Sequence, residues 1–167
     1  MSGNREGDRA TMLNGTITVE AGLPSDAPMI AAFQTAMAKE TENRDLDPAT
    51  VARGVARVFE EPRPGFYIVG RGTDGVPVAS LLVLMEWSDW RNTDVWWVHS
   101  VFVAPAYRRQ GLFRRMLEHV EELARRAGAA GLRLYVERLN GGAKAVYTAL
   151  GMDGGHYDLY EKMFPGM

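Results

Sequence analysis

Val101-Phe102-Val103-Ala104-Pro105-Ala106-Tyr107-Arg108-Arg109-Gln110-Gly111-Leu112-Phe113-Arg114 reads as one continuous device: a buried strand, a tight basic turn and the start of an amphipathic helix, with a single glycine at the turn. Amides in the first turn of a helix have no intrahelical acceptor and sit at the positive end of the helix dipole. A phosphate group can settle on them, and Arg108, Arg109 and Arg114 lie close by in the sequence. The stretch therefore predicts an anion site, and a diphosphate is the anion it suits.

Two common phosphate loops do not fit these residues. A P-loop needs a lysine after its last glycine, and none follows Gly111; a dinucleotide fold needs Gly-x-Gly-x-x-Gly after its first strand, which is absent. What matches is Arg/Gln-x-x-Gly-x-Gly/Ala behind a hydrophobic-x-Val-x-Pro strand end. Here the chain resembles the GNAT N-acetyltransferase superfamily, with Arg108, Gly111, Val101 and Val103 on its acetyl-coenzyme A motif. Phe113 departs from that motif, which usually carries a small residue there. Downstream, Leu134-Tyr135-Val136-Glu137-Arg138-Leu139-Asn140-Gly141-Gly142-Ala143-Lys144-Ala145-Val146-Tyr147-Thr148-Ala149-Leu150-Gly151-Met152 is similar to the same family's strand followed by Asn-x-x-Ala-x-x-x-Tyr-x-x-x-Gly-Phe, Met152 replacing the aromatic. Order and spacing both agree, and the resemblance runs loosely from about Thr16 to the C-terminus.

A length of 167 residues, 46% of them hydrophobic, predicts one ordinary domain over 16–167 behind a flexible polar extension at 1–15. The formal net charge of −2 offers no bulk attraction to nucleic acid or to an anionic membrane, so neither is expected as a partner. With no cysteine, a disulfide frame, a thiolate nucleophile and a cysteine metal site are all excluded. His99, His119 and His156 have no ligand-like spacing, so no metal is expected. The short apolar runs and the polar N-terminus point to a cytoplasmic protein.

The periodicities then place the elements. Residues 16–20 alternate as a strand, and after Pro24 either Ser25 or Asp26 can cap a helix carrying Met29, Ile30, Phe33 and Met37. Residues 39–46 form a polar link with an acidic excess, and Asp47-Pro48 starts a second helix with Val51, Val55, Val58 and Phe59 on one face. Residues 66–70 and 77–87 make a hairpin about Asp74-Gly75, and 94–103 follow as the next strand. The helix from 111 to 127 is expected to bury Leu112, Met116, Val120, Leu123 and Ala127, with Glu121–Arg125 and Glu122–Arg126 pairs outside. Leu132, Leu134 and Val136 read as the inward face of a further strand, 141–150 as a short helix and 157–164 as a last strand. The helix and strand order predicts an α/β (α+β) fold with a mixed sheet and helices on both faces.

The resemblance adds detail to that fold and to its chemistry. It implies a mostly antiparallel GNAT-like sheet in which the strands ending at Val103 and Val136 splay apart to hold the pantetheine arm of acetyl-CoA. It implies main-chain contacts at Val101 and Val103, a diphosphate grip by Arg108, Arg109, Gln110, Gly111, Phe113 and Arg114, and a side-chain contact from Asn140. Tyr147 stands where family members place a phenol near the thioester sulfur; otherwise it packs with Val146 and Leu150. The implied activity is acetyl transfer to a small-molecule or peptide amine by direct attack. An acyl-CoA sensing domain without turnover is the alternative, and a homodimer would be ordinary in the family.

A lysine-type amine, with a pKa of about 10.4, is almost fully protonated at neutral pH, so a base is expected. Where many members carry a strand glutamate, this chain has Trp97. By period-two alternation, positions 97, 99, 101 and 103 share one side of their strand, which turns His99 toward the cofactor-contacting positions. Glu86 is the rival base and Asp89 a third; each is otherwise a surface carboxylate, and His99 otherwise a buried imidazole bonded to backbone. Trp87, Trp90, Trp96 and Trp97 are either core or the indole wall of an acceptor pocket. The acidic link at 39–46 would suit a cationic amine.

Overall fold

The computed structural model describes residues 17–61 and 65–164, so the proposed extension at 1–15 lies outside the described residues. The chain forms two compact units, one running through to Arg133 and the other beginning at Leu134. In chain order the first holds β1 (Thr18–Ala21), α1 (Ala27–Glu42), α2 (Pro48–Glu60), β2 (Gly65–Arg71), β3 (Pro77–Ser88), β4 (Thr93–Val103), α3 (Leu112–Arg126) and β5 (Leu132–Arg133). The sheet order is β1-β2-β3-β4-β5, antiparallel throughout except for the parallel β4–β5 pair. This is the mixed, mostly antiparallel sheet that the sequence predicts.

Each face of the sheet is covered by helices whose apolar stripes the sequence encodes. On one side Tyr67 and Val69 pack with Ile30 of α1 and Val55 of α2, joined by Val51, Val58, Phe59 and Leu82. Phe33 stacks on Phe102 at 4.9 Å on that same side. The other side receives α3: a Cβ on Gly70 would lie 3.2 Å from Leu112 Cδ1, so glycine is what lets the helix approach so closely. The buried set of α3 is Leu112, Met116, Leu117, Val120 and Ala124. Leu117 and Ala124 replace the expected Leu123 and Ala127, because the buried stripe is wider than a single four-and-three row. The two expected surface pairs form, Arg125 Nη2 lying 2.5 Å from Glu121 and Arg126 bonding Glu122.

Local chemistry sets the element ends. Asp47 caps α2, its carboxylate accepting Thr50 N–H at 2.9 Å, with Pro48 opening the helix. Asp26 stands before α1 but does not cap it through its side chain. Its carboxylate is taken by the Arg71 guanidinium at 2.6 and 2.8 Å and by Leu23 N–H at 2.7 Å, and Arg71 Nε also bonds Glu20. The Arg71 hydrogen bond holds the Asp26 carboxyl below the usual carboxylate range. This buried pair fastens the end of β2 to the entry of α1.

β4 departs from simple alternation. Leu82 pairs with His99 whereas Ser80 pairs with Phe102, so the span of β4 between them is one residue longer than that of β3. The surplus is absorbed by a bulge at Ser100, whose φ of 52° lies in the left-handed region. Positions 97, 99, 101 and 103 therefore do not share a side. Trp97 and His99 stand on the side of α1, as does Phe102; Val103, opposite Ala79, stands on the side of α3. A bulge inverts the parity of everything beyond it, and the alternation expected for residues 97–103 fails for that reason.

The parallel ladder between β4 and β5 is confined to Trp96–Leu132 and Trp97–Arg133, so the strand expected to continue through Val136 ends at Arg133. In the second unit, α4 (Gly141–Ala149) forms as expected, capped by Asn140 Oδ1 accepting Ala143 N–H at 3.0 Å. The last strand expected at 157–164 is not formed: those residues make no ladder, and Tyr157, Leu159, Tyr160, Met163 and Phe164 are all exposed. Residue types alone cannot make a strand, since extended backbone is stabilised only when a neighbour receives its hydrogen bonds. No helix among the described residues is long and apolar enough to cross a membrane.

Candidate active site

The bulge divides β4 into two halves with different equipment. Beyond it, Ala104 N–H donates to Val78 O at 2.9 Å, so the main-chain groups of residue 104 face β3. By antiparallel alternation Val101 and Val103 aim their N–H and C=O groups at the opposite edge. Along that edge no strand pairs with β4 after Trp97 among the described residues. The outcome is a short run of outward-facing peptide groups; Arg108 Nε engages the Val103 carbonyl at 2.7 Å, and the others are of the kind that can bond an extended amide-bearing ligand.

Before the bulge, side chains carry the chemistry. Trp97 and His99 stack at 5.9 Å with 21° between their planes. Trp97 Nε1 donates to Glu86 Oε2 at 2.9 Å, Arg133 Nη1 donates to Glu86 Oε1 at 3.1 Å, and the Arg133 guanidinium lies 5.8 Å from the Trp97 ring centre. Glu86, Trp97, His99 and Arg133 thus form one cluster across β3, β4 and β5. His99 is half-buried, and burial draws its pKa below the ordinary imidazole value, so the neutral base form is favoured. Asp89 stands apart in the exposed turn after β3, accepting the Trp90 N–H at 2.9 Å. Of the four tryptophans only Trp96 is buried; Trp97 is half-buried, and Trp87 and Trp90 are exposed.

The anion turn follows β4. A short 3-10 turn at Pro105–Tyr107 leads to Arg109 with φ of 62° and to Gly111 with φ of 75°. Two left-handed residues flanking Gln110 curl the chain into a concave run of amides. A non-glycine residue in this region costs about 1–2 kcal/mol, and such strain gathers at binding loops. The first bond of α3 is Arg115 N–H to Gly111 O at 3.1 Å, which leaves the amides ahead of it outside the helical ladder. Arg109 and Arg114 are exposed and form no ion pair among the described residues. Arg108 is placed differently: its Nε donates to Val103 O at 2.7 Å and its Nη2 to Glu40 at 2.8 Å. Gln110 Nε2 donates to Ala106 O at 2.9 Å, while its Oε1 is buried without a partner among the described residues. Phe113 is half-buried one residue into α3.

These parts on one unit, with the sheet order that carries them, match a known family. A model of the acetyltransferase (GNAT) family fits residues 29–152, most of the chain. The chain belongs to the GNAT family. A possible acetyltransferase from Clostridium difficile 630 is 35% identical, with 89% of this chain and 98% of that one covered and a TM-score of 0.81. Two further solved structures share the fold at lower identity. Glucosamine-6-phosphate N-acetyltransferase from Arabidopsis thaliana matches at 16% identity and TM-score 0.69, with 89% and 99% of the two chains covered. Ribosomal-protein-alanine N-acetyltransferase from Brucella melitensis biovar Abortus 2308 matches at 14% and 0.72, again covering 89% and 99%. Membership makes this GNAT chain an acyl-transfer enzyme in general terms.

The remaining predicted residues of this GNAT chain lie in the second unit. Asn140 uses its carboxamide oxygen as the α4 cap. Tyr147 is half-buried on α4, and burial raises its phenol pKa, keeping the proton in place at neutral pH. Sequence reasoning missed the bulge, the placement of Arg133 against Glu86 and the tie between Arg108 and Glu40. Only the bulge left a trace, a lone serine inside the otherwise apolar run of residues 101–103 and 95–98.

Proposed function

We propose that this GNAT enzyme transfers an acetyl group from acetyl-CoA to a primary amine, by direct attack within a ternary complex. The observation that carries the proposal is the adjacency of two features on one strand and its exit: outward peptide groups at Val101 and Val103, then a left-handed amide turn flanked by Arg109 and Arg114. A long ligand with amides at one end and a diphosphate at the other is what such a surface accommodates, and Gly111 leaves open space above the turn. When bound, the donor supplies an acetyl carbon activated as a thioester.

The chain's own residues supply the rest. His99, kept neutral by its burial, takes the proton of the acceptor ammonium, which frees the amine lone pair. An outward amide near Val101 or Val103 stabilises negative charge on the carbonyl oxygen as the amine adds. The family resemblance gives Tyr147 the task of protonating the departing thiolate, and a phenol whose pKa is raised retains the proton that task requires; the nitrogen releases its second proton to solvent as the C–S bond breaks, and solvent restores the phenol. Glu86 is already engaged, its two carboxylate oxygens accepting the Trp97 indole N–H and the Arg133 guanidinium, which leaves His99 as the base we propose. The acidic link is also a weaker argument for a cationic acceptor than its composition suggests: Asp45 pairs with Lys39 at 2.9 Å and Glu40 with Arg108.

Thiol release from acetyl-CoA, measured with purified protein and a panel of primary amines, tests the proposal. Release requiring both substrates is expected, and Tyr147→Phe should lower kcat about 100-fold with donor affinity retained. Saturable binding of coenzyme A with no release by any amine would instead support a sensing domain. Absence of any binding of coenzyme A would remove both.

A further inference from the structure

The side chain of Arg108, in the basic turn, is directed at the protein itself. Arg108 is the arginine on which the turn motif is written, yet its guanidinium bonds Val103 O at 2.7 Å, pairs with Glu40 at 2.8 Å and lies 5.5 Å from the centre of the Phe102 ring. Phe102 in turn stacks on Phe33 of α1, and Glu40 belongs to the last turns of the same helix. One side chain thus joins the end of β4, the basic turn and α1. A guanidinium presents a planar fork of five donors, which suits it to hold a carbonyl and a carboxylate at once. Arg109 and Arg114, by contrast, have exposed side chains and no ion pair among the described residues.

We infer that Arg108 and Glu40 are positioning residues: together they hold the amide turn in its ligand-ready shape, and the charge that meets a diphosphate comes from Arg109 and Arg114. The inference rests on the proposed acetyl-CoA reading and deepens it, because it makes donor affinity depend on an acidic residue of α1. Its consequence has an unusual sign. Glu40 is a negative charge beside a site for a polyanion, so electrostatics alone predicts that removing it tightens binding. As a partner of Arg108, it must weaken binding when removed, because the turn loses one of the contacts that order it.

Calorimetry with coenzyme A as the probe separates the two. Wild-type protein should bind saturably; if it does not, the acetyl-CoA reading itself is lost. Given wild-type binding, Glu40→Gln should raise Kd about threefold, the range of a half-exposed ion pair. Glu40→Lys should raise it at least as much although it adds positive charge, and Arg108→Gln should raise it about tenfold through loss of the Val103 carbonyl as well. Glu40→Gln combined with Arg108→Gln should cost no more than Arg108→Gln alone, the signature of a shared contact. In turnover the loss should appear in the KM for acetyl-CoA rather than in kcat. Unchanged or tighter binding by Glu40→Gln and Glu40→Lys, or additive effects in the double variant, would overturn the inference and leave the acetyl-CoA reading standing.

Discussion

The two halves of β4 are built from the same kind of sequence and do opposite things. From Trp96 to His99 the strand offers side chains, with Trp97 and His99 on the α1 side and Glu86 and Arg133 closing the cluster. From Val101 to Val103 it offers backbone, the peptide groups of Val101 and Val103 directed away from β3 along an edge where no strand pairs among the described residues. One inserted residue separates the halves. Without the bulge, His99 and Val101 would share a side and the outward peptide groups would belong to other residues. On the proposed function, a single strand thereby serves an acceptor and a base on one part of its length, and a donor on the next.

The largest expected effect that can break this division is at His99. His99→Gln should lower kcat about 100-fold while leaving the Kd for coenzyme A within twofold; parallel losses in both would mean that the halves are not separate. Next comes Ser100→Val, which forces a β-branched residue into φ of 52° at a cost of about 1–2 kcal/mol. Because the bulge serves both halves, donor Kd and kcat should each worsen, about tenfold at most, whereas Ser100→Gly should match wild type. An unaltered Ser100→Val enzyme would show that the bulge does not set the geometry.

A smaller shift is expected for Trp97→Ala, and it sharpens the assignment of the base. Burial lowers the His99 pKa, so the acid limb of the kcat/KM profile should lie below the ordinary imidazole value of about 6.5. Removing the stacked indole hydrates the ring, which moves that limb upward toward about 6.5. An acid limb that stays where it was in Trp97→Ala would detach it from His99. The least kinetic change of all is expected from Asp26→Asn, distant from both halves in role: it breaks a buried pair and should cost about 3 kcal/mol of stability in denaturant titrations, with kcat and KM unchanged. The linkage has a definite sign. Asp26 is depressed in the folded state, so its contribution is present above the ordinary carboxylate pKa of about 3.9 and is lost as pH falls through its lowered value; the variant's stability curve should lack that loss.

Local physics made a good part of this legible in advance. Asp47-Pro48, the 74–75 turn and the Gly111 turn each require a particular backbone geometry, and each appears where its residues stand. The valine face of α2 and the two surface pairs of α3 follow from helical periodicity alone. The segment at 157–164 differs from the expectation because residue types say only that a segment can be extended, whereas a ladder partner decides whether it is a strand. Arg108 shows a related limit: the motif marks it as a cation near an expected anion site, and that its guanidinium meets Val103 O and Glu40 is a matter of distance in space.

The sequence by itself carried the family motifs, the element order through α4 and the turn at Gly111, since these rest on residue types at short spacing, where backbone sterics and hydrogen-bond reach act locally. Only the tertiary structure decided which way His99 and Val101 face, and that Glu86 meets Arg133 and Glu40 meets Arg108. Those outcomes depend on strand register, and on contacts between residues 47 and 68 positions apart, which no local rule constrains.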